Sequence, residues 1–163
     1  MRALAVTIST RAAAGVYEDR SGPVLAGLLR AAGCEVDGPV VVPDGIEVEA
    51  ALRAGVDDGY DVVVTTGGTG LNPNDQTPEI TRRVIDREVP GLAEAIRAAG
   101  VAAGVASAVL SRGIAGLAGT TLIVNLPGST GGVRDGMTVL AGLLAHAVDQ
   151  AQGGDHPRAN AAQ

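Results

Sequence analysis

The residues best suited to chemistry form a glycine-rich segment, TTGGTG at positions 65–70, followed shortly by Asp75. Three glycines in four residues let the backbone approach a ligand closely and turn its N–H groups toward an anion. A carboxylate beside bound phosphates is favourable only with a divalent cation between them. The segment therefore predicts a phosphate site with Mg²⁺. The alternative is a tight strand-to-helix turn with Asp75 in an Asx turn.

Two further loops carry polar groups of the same kind. Asp44 has the spacing to Glu47 of a helix capping box, and its carboxylate could also face a ligand crevice. The segment NLPGSTGG at 125–132 places glycines and hydroxyls just before a predicted helix, where anions bind favourably. An ordinary glycine-rich connector is the alternative there. Further donors and positive charges follow other predicted strands: Ser9, Arg11, Ser111 and Arg112.

The composition of the 163-residue chain excludes several other chemistries. All 12 basic residues are arginine, so a Walker phosphate loop and Schiff-base catalysis are excluded. Only 1% of the residues are aromatic, too few for stacking on single-stranded nucleic acid. The two histidines form no HExxH zinc motif, and Cys34 is the single cysteine, which rules out an internal disulfide.

The charge and the hydropathy pattern predict where the protein acts. A net charge of −6 disfavours nucleic acids and anionic membranes as partners, because both require a positive face. No apolar run reaches the ~18 residues of a membrane span, and no signal segment is recognisable. Together with the single cysteine, these features predict a cytoplasmic protein.

Alternating strand-like and helix-like segments predict one α/β domain over residues 1–152, with a polar tail at 153–163 that we expect to be disordered. Apolar runs predict strands at 3–9, 36–42, 60–66, 108–114 and 120–126. Helices are predicted from Ser21 to Gly33, over 46–58, from Thr77 to Arg87, shortly after Pro90, and over 132–150, with Ser21 and Thr77 as N-caps.

The predicted fold class is a three-layer α/β sandwich with a mostly parallel, Rossmann-like sheet and helices on both faces. The third strand, YDVVVTT at 60–66, is a continuous apolar run of the kind that is buried in parallel sheets. Ligands of such sheets bind beyond the carboxyl ends of the strands, and the three polar loops follow strands there. We therefore expect these loops to meet in one crevice.

The same motifs resemble the signature of the Mog/MoaB family of molybdenum cofactor biosynthesis proteins. TTGGTG followed by DQTPE at 75–79 is similar to the family's TTGGTG…D-x-TPEA. The resemblance runs in order from about residue 3 to residue 150. Its other matching elements are Ser9, Arg11, Gly15, Asp19, Ser21 and Gly22 in the first loop, VVPD at 41–44, EVPG at 88–91 with Glu94, LSR at 110–112 with Ala115 and Gly116, and LIVNLPGS at 122–129.

The resemblance implies a molybdopterin-binding type of fold and a molybdopterin adenylyltransferase activity. Such an enzyme transfers AMP from ATP to the terminal phosphate of molybdopterin and releases pyrophosphate, with Mg²⁺ as cofactor. Asp44 and Asp75 correspond to the family's acidic functional positions, which implies catalytic roles beside Mg²⁺ at the ligand phosphates. Candidate substrate- and nucleotide-binding residues are Ser9, Thr66, Gly67, Gly68, Thr69, Gly70, Ser111, Asn125, Pro127, Gly128 and Ser129. A homotrimer and hand-over of the product to a molybdenum insertase are also implied.

Three positions depart from the family pattern: Thr10, Asn74 and Thr130-Gly131. Many relatives have an acidic residue, a basic residue and PGSP-K at the corresponding places, so two charges that could bind phosphate are missing here. Two alternatives stay open at this point. One is a molybdopterin carrier or assembly subunit without catalysis, and the other is a hydrolase resembling the amino-terminal domain of competence-damage proteins. Members of that second group continue into further domains, which disfavours it for a chain of this length.

Overall fold

A computed structural model describes residues 1–154 and shows a six-stranded sheet covered by helices on both faces. The strands are β1 (Arg2–Ile8), β2 (Glu35–Val42), β3 (Val62–Thr66), β4 (Arg87–Glu88), β5 (Ala115–Ala118) and β6 (Thr121–Leu126). The helices are α1 (Thr10–Ala13), α2 (Ser21–Ala31), α3 (Ile46–Asp57), α4 (Thr77–Val84), α5 (Pro90–Ala102), a 3₁₀ helix (Ala106–Leu110), α6 (Thr130–Leu140) and α7 (Leu144–Ala151).

The strand order is β2-β1-β3-β6-β5-β4. The strands β2, β1, β3 and β6 run parallel, whereas β5 pairs antiparallel with both β6 and β4. In register, Thr7 of β1 lies beside Thr66 of β3, and Thr66 lies beside Leu126 of β6. The carboxyl ends of these three strands are therefore level, and the loops that follow them begin side by side. The mostly parallel sheet confirms the predicted fold class.

Two hydrophobic clusters, one on each face of the sheet, form the core. Successive residues of β1 alternate between them, with Ala3 and Ala5 in one cluster and Leu4 and Val6 in the other. The first cluster includes side chains of α2, α5, α6 and α7, and the second includes side chains of α3 and α4. This arrangement is the predicted three-layer sandwich.

The second half of the chain differs from the sequence prediction in its elements. The run 108–114, predicted as a strand, instead begins within the 3₁₀ helix. Its apolar Val109 and Leu110 are exposed, so apolar character alone did not indicate a buried strand here. The predicted last helix is two helices separated around Gly142, where a glycine lowers helical stability. The two-residue β4 is too short to produce a recognisable sequence pattern. Helix α4 ends three residues before the predicted end at Arg87. Helix α5, predicted only as a short helix, has 13 residues.

The predicted helix caps were shifted by one residue or replaced. Arg20 is the N-cap of α2 instead of Ser21, and the carboxylate of Asp19 accepts the N–H of Gly22 at 2.9 Å. Gln76 is the N-cap of α4 instead of Thr77. A short helix, α1, occupies part of the segment predicted as a loop, capped by Ser9. Capping signals therefore located these helices to within a residue but did not identify which side chain caps them.

Among residues 1–154, no helix is long and apolar enough to cross a membrane. The expected disordered tail at 153–163 falls largely outside the described residues, of which only Gly153 and Gly154 belong to it. Cys34 is buried in the core, and this burial raises the pKa of its thiol.

Candidate functional site

Hydrogen bonds join the loops at the carboxyl end of the parallel strands in two neighbouring pairs. The N–H of Gly67 donates to the carbonyl of Leu126 at 3.2 Å, and the hydroxyl of Thr66 donates to the carbonyl of Pro127 at 2.7 Å. On the other side, the N–H of Ser9 donates to the carbonyl of Val42 at 2.9 Å. The loops after β1, β2, β3 and β6 therefore form one continuous edge, where ligands of such sheets bind.

Within the glycine segment, Gly67 and Gly68 lie too close to their neighbours to be replaced by residues with side chains. Gly67 and Gly68 have positive φ angles of 106° and 63°, which favour glycine. A Cβ on Gly67 would lie 2.1 Å from the carbonyl oxygen of Ile8, and one on Gly68 would lie 2.1 Å from the Thr77 hydroxyl. Thr77 itself donates to the carbonyl of Gly67 at 3.1 Å. The first turn of α4 therefore fixes the shape of the glycine segment.

Asp44 does not form the predicted capping box. The N-cap of α3 is Gly45, and no side chain caps the helix. Instead, Asp44 Oδ2 accepts the hydroxyl of Thr10 at 2.9 Å, and the same hydroxyl accepts the N–H of Asp44 at 3.1 Å. The other oxygen, Oδ1, is buried and has no hydrogen-bond partner among residues 1–154. It lies 2.9 Å from the position of a Cβ on Gly68, so it points at the glycine segment.

Asp75 lies in a loop that Arg112 holds in place. The Arg112 guanidinium donates to the carbonyl of Gly70 at 2.7 Å, to the carbonyl of Asp75 and to the carboxylate of Glu79. The N–H of Arg112 also donates to the carbonyl of Thr69 at 2.8 Å. A guanidinium with donors in a fixed fork can join several oxygens in this way. No local pattern indicates this bracing role of Arg112, because its partners lie 33 to 42 positions away.

Two clefts open on either side of the glycine segment. The first, which we call the polar cleft, has a volume of about 1090 Å³ and lies between the loops after β1, β2 and β3. The second, the aliphatic cleft, has a volume of about 660 Å³ and lies between the glycine segment, the loop after β6 and the 3₁₀ helix. Gly68, Asp75 and Gly128 line both clefts. The two clefts therefore meet at these three residues.

The structure brings most of the predicted site residues together. Ser9, Asp44, Gly67, Gly68, Asp75 and Gly128 line the polar cleft. Gly68, Thr69, Gly70, Asp75, Ser111, Pro127, Gly128 and Ser129 line the aliphatic cleft. Residues at all three positions that depart from the family pattern, Thr10, Asn74 and Thr130, also line the polar cleft.

Thr66 and Asn125 lie beneath the loops and line neither cleft. The Asn125 amide donates to the hydroxyls of Thr65 and Thr81 at 3.1 and 3.0 Å, and its oxygen accepts the N–H of Ile114. The hydroxyl of Thr66 donates to the carbonyl of Pro127. Both residues are completely or almost completely buried, and their hydrogen bonds support the loops from below.

Sequence reasoning missed part of the polar cleft. Tyr17 and Arg20 line it, although neither was singled out. The hydroxyls of Tyr17 and Ser9 lie 2.9 Å apart, and the Arg11 guanidinium lies 5.0 Å from the centre of the Tyr17 ring. Arg11 and Arg20 both line the cleft, where they supply positive charge beside the acidic Glu18, Asp19, Asp44 and Asp75. No residue pattern in the sequence indicated that Arg20 lines this cleft.

The donor set fits Mg²⁺ held jointly by protein and ligand. Residues 1–154 contain no group of three or more His, Cys, Asp or Glu residues that could hold a metal alone. Asp44 and Asp75 line the same cleft, and no described residue is a hydrogen-bond partner of the buried Oδ1 of Asp44. Mg²⁺ is usually bound by one or two carboxylates together with substrate phosphates. The two aspartates are suited to that kind of site.

Comparisons with known proteins show the family and the fold of this chain. Residues 4–146 match the family described as “Probable molybdopterin binding domain”. A molybdopterin adenylyltransferase from Pyrococcus furiosus is 34% identical over 151 residues, which is 90% of this chain and 89% of the relative. The solved structure of the molybdopterin biosynthesis Mog protein from Mycobacterium ulcerans is 51% identical with a TM-score of 0.87, covering 92% of this chain and 98% of that chain.

Some relatives are longer than this chain. A molybdenum cofactor biosynthesis bifunctional protein from Chlorobaculum tepidum is 35% identical over 156 residues, which is 95% of this chain and 50% of the relative. The chain therefore spans about half the length of this curated relative. The matched region contains all three polar loops, since it leaves out only 5% of the chain.

Proposed function

The chain belongs to the molybdopterin-binding family that contains the Mog and MoaB proteins, and on this premise we propose that it is a molybdopterin adenylyltransferase in molybdenum cofactor biosynthesis. In the proposed reaction an oxygen of the terminal phosphate of molybdopterin attacks the α-phosphorus of ATP. The bond from that phosphorus to the β-phosphate oxygen breaks, and pyrophosphate leaves. Relatives at 34 to 36% identity carry this enzyme name.

The meeting of two clefts at one point is the observation that carries this proposal. A transfer between two large substrates needs two binding regions that share one reacting centre. Gly68, Asp75 and Gly128 line both clefts, so a phosphate there is reachable from either side. Holding two reactants in this way supplies much of the rate enhancement of group transfer.

The residues at this point are suited to phosphoryl-type chemistry. Such reactions need positioning and charge stabilisation more than covalent catalysis, and the nucleophile is already a phosphate oxygen. We propose that the backbone N–H groups of Gly68, Thr69 and Gly70 and the turn at 127–129 hold phosphate groups, whereas the N–H of Gly67 already donates to Leu126. Asp44 and Asp75 would hold Mg²⁺ through the ligand phosphates. When bound, Mg²⁺ would neutralise the charge that develops at the α-phosphate and on the leaving pyrophosphate.

The lining of the clefts supports an assignment of the two substrates. Ile96, Val105 and Leu110 line the aliphatic cleft, which provides apolar surface for the adenine ring of ATP. The polar cleft offers Arg11 and Arg20, together with hydroxyl and carboxylate groups that match the many polar atoms of a pterin. We therefore propose that ATP occupies the aliphatic cleft and molybdopterin the polar cleft.

The direct test is pyrophosphate release from ATP by the purified chain with molybdopterin and Mg²⁺. We expect release only when all three are present, with adenylylated molybdopterin as the second product. Binding of molybdopterin without release would favour the carrier alternative and overturn the enzyme proposal.

A variant tests the substrate assignment within the same assay. Leu110→Ser should raise the KM for ATP about tenfold, because it removes apolar surface from the adenine region. The KM for molybdopterin should stay within about twofold. A raised KM for molybdopterin with an unchanged KM for ATP would instead assign molybdopterin to the aliphatic cleft and ATP to the polar cleft.

The assembly and the destination of the product are further parts of the proposal. The family resemblance supports a homotrimer and hand-over of adenylylated molybdopterin to an insertase. Sedimentation of the chain in solution measures the first, and transfer of labelled product to a purified insertase measures the second.

A further inference from the structure

We propose that Thr10 is a positioning residue that aims Asp44 Oδ1 at the metal and phosphate site and prevents Asp44 from capping helix α3. This inference rests on the proposed function for its chemistry, because it concerns a carboxylate that we assign to Mg²⁺ binding. Thr10 itself lies at the edge of the polar cleft and is not proposed to touch the reacting atoms.

The contact between the two residues is reciprocal. The Thr10 hydroxyl donates to Asp44 Oδ2 at 2.9 Å and accepts the N–H of Asp44 at 3.1 Å. The N–H of Thr10 adds a longer bond to Oδ2 at 3.4 Å. One hydroxyl therefore contacts both the side chain and the backbone of Asp44. Two of these bonds end on Oδ2 and the third holds the backbone of Asp44, so together they restrict the orientation of the carboxylate.

Helix α3 offers Asp44 a competing set of partners. Asp44 and Glu47 have the spacing of a capping box, and the first N–H groups of a helix lack partners within it. In the structure no side chain caps α3, and the N-cap residue is Gly45 with φ of 119°. The carboxylate has thus been diverted from the arrangement that the local sequence favours. Thr10, 34 residues away, supplies the bonds that divert it.

The diverted orientation leaves one oxygen free in a buried place. Asp44 Oδ1 has no partner among residues 1–154 and lies 2.9 Å from where a Cβ on Gly68 would stand. A buried carboxylate oxygen without a partner costs free energy unless a cation or donor arrives. The orientation is therefore unfavourable for the protein alone and favourable once a cation and phosphate are present. Such a carboxylate is prepared in advance for its ligand.

The test compares four proteins: wild type, Thr10→Val, Thr10→Ser and Thr120→Val. Valine keeps the size of threonine and removes the hydroxyl, whereas serine keeps the hydroxyl. Thr120 is an exposed threonine in the β5–β6 hairpin outside both clefts, so its variant controls for the substitution itself.

Three quantities are measured for each protein. The first is the Mg²⁺ concentration that gives half-maximal pyrophosphate release, with separate kcat and KM values. The second is Mn²⁺ binding, followed by electron paramagnetic resonance, with α,β-methylene-ATP present and no turnover. The third is the thermal midpoint of the protein without ligands.

Thr10→Val should raise the metal concentration needed in both metal measurements by about tenfold, because a hydrogen bond to a charged group is lost. It should lower kcat more than it raises the KM for ATP. Its thermal midpoint should equal or exceed that of wild type, since Asp44 is then released to cap α3. Thr10→Ser and Thr120→Val should bind Mn²⁺ within about twofold of wild type.

Failure of this inference is distinguishable from failure of the proposed function. Wild-type turnover with unchanged Mn²⁺ binding in Thr10→Val would overturn the role of Thr10 and leave the enzyme proposal standing. Absence of turnover in wild type, with weakened Mn²⁺ binding in Thr10→Val, would overturn the enzyme proposal and support the role of Thr10. A clear fall in the thermal midpoint of Thr10→Val would show that Thr10 only stabilises the fold.

Discussion

The two ends of the parallel sheet use their polar residues in opposite ways. At the amino end, Asp61 accepts the N–H of Arg2 at 2.7 Å and the side-chain amide of Gln152 at 2.8 Å. The Tyr60 hydroxyl donates to Asp37 at 2.6 Å, and the Arg2 guanidinium lies 4.4 Å from the centre of the Tyr60 ring. The polar side chains of this end bind one another.

At the carboxyl end, polar groups are held in place but left available. Asp44 is fixed through one carboxylate oxygen, and the other has no partner within the described part of the chain. Asp75 lies beside glycines that have no room for a side chain. Arg112 binds the carbonyls of Gly70 and Asp75 in that loop. The carboxylates at the amino end complete the fold, whereas those at the carboxyl end are prepared for a ligand. A carboxylate's partners, more than its presence, therefore indicate its role.

Alanine substitutions on either side of β3 should give the largest contrast between the two ends. Gly67→Ala should cost about 4 kcal/mol or prevent folding, because the new Cβ would meet the Ile8 carbonyl at 2.1 Å at a φ of 106°. Gly59→Ala should cost only about 1 kcal/mol, since Gly59 has φ of 71° but nothing within 4 Å. Urea unfolding of both variants measures the difference. Equal losses would mean that the glycine segment is not tightly packed.

Aspartate-to-asparagine substitutions should separate activity from stability. Asp75→Asn should lower turnover about 100-fold while the unfolding free energy stays within about 0.5 kcal/mol, because the carboxylate accepts one long hydrogen bond, from the N–H of Asn72 at 3.3 Å, which the asparagine oxygen can also accept. Asp61→Asn should cost about 1–2 kcal/mol of stability and leave kcat unchanged, since its bonds join Arg2 and Gln152. Pyrophosphate release and urea unfolding are measured on both proteins. Full turnover in Asp75→Asn would remove Asp75 from the metal site.

The smallest predicted effect is on the titration of Tyr60, at the amino end of the sheet. The hydrogen bond to Asp37, and secondarily burial, raise the pKa of Tyr60 above its usual value. The neutral hydroxyl is therefore favoured in the folded state, and its contribution is lost as the pH rises through the raised pKa. Tyr17→Phe leaves Tyr60 as the sole tyrosine, so ultraviolet titration reports its midpoint directly.

Adding Asp37→Asn to that protein should lower the midpoint, because the carboxylate acceptor is removed. The stability of Tyr60→Phe should fall by about 1 kcal/mol or less at neutral pH, as expected for a hydrogen bond near the surface. A midpoint unchanged by Asp37→Asn would show that the Tyr60–Asp37 bond does not persist in solution.

The local residue pattern was sufficient to predict the parallel half of the fold. Continuous apolar runs such as 60–66 predict buried strands, and the polar loops that follow them must meet because parallel strands end at the same edge. The antiparallel half was predicted less well. The 3₁₀ helix at 106–110 and the two-residue β4 are too short to impose a periodicity, so packing decides them.

The sequence by itself determined which residues form the loops of the site, because glycines, hydroxyl-bearing residues and aspartates directly follow the strand segments. Only the tertiary structure decided what those residues contact. Asp44 has a local partner in α3, yet the structure pairs it with Thr10, and Arg112 braces a loop that lies 37 to 42 positions earlier. Local preferences of this kind are worth about 1 kcal/mol each, so contacts between distant segments can outweigh them.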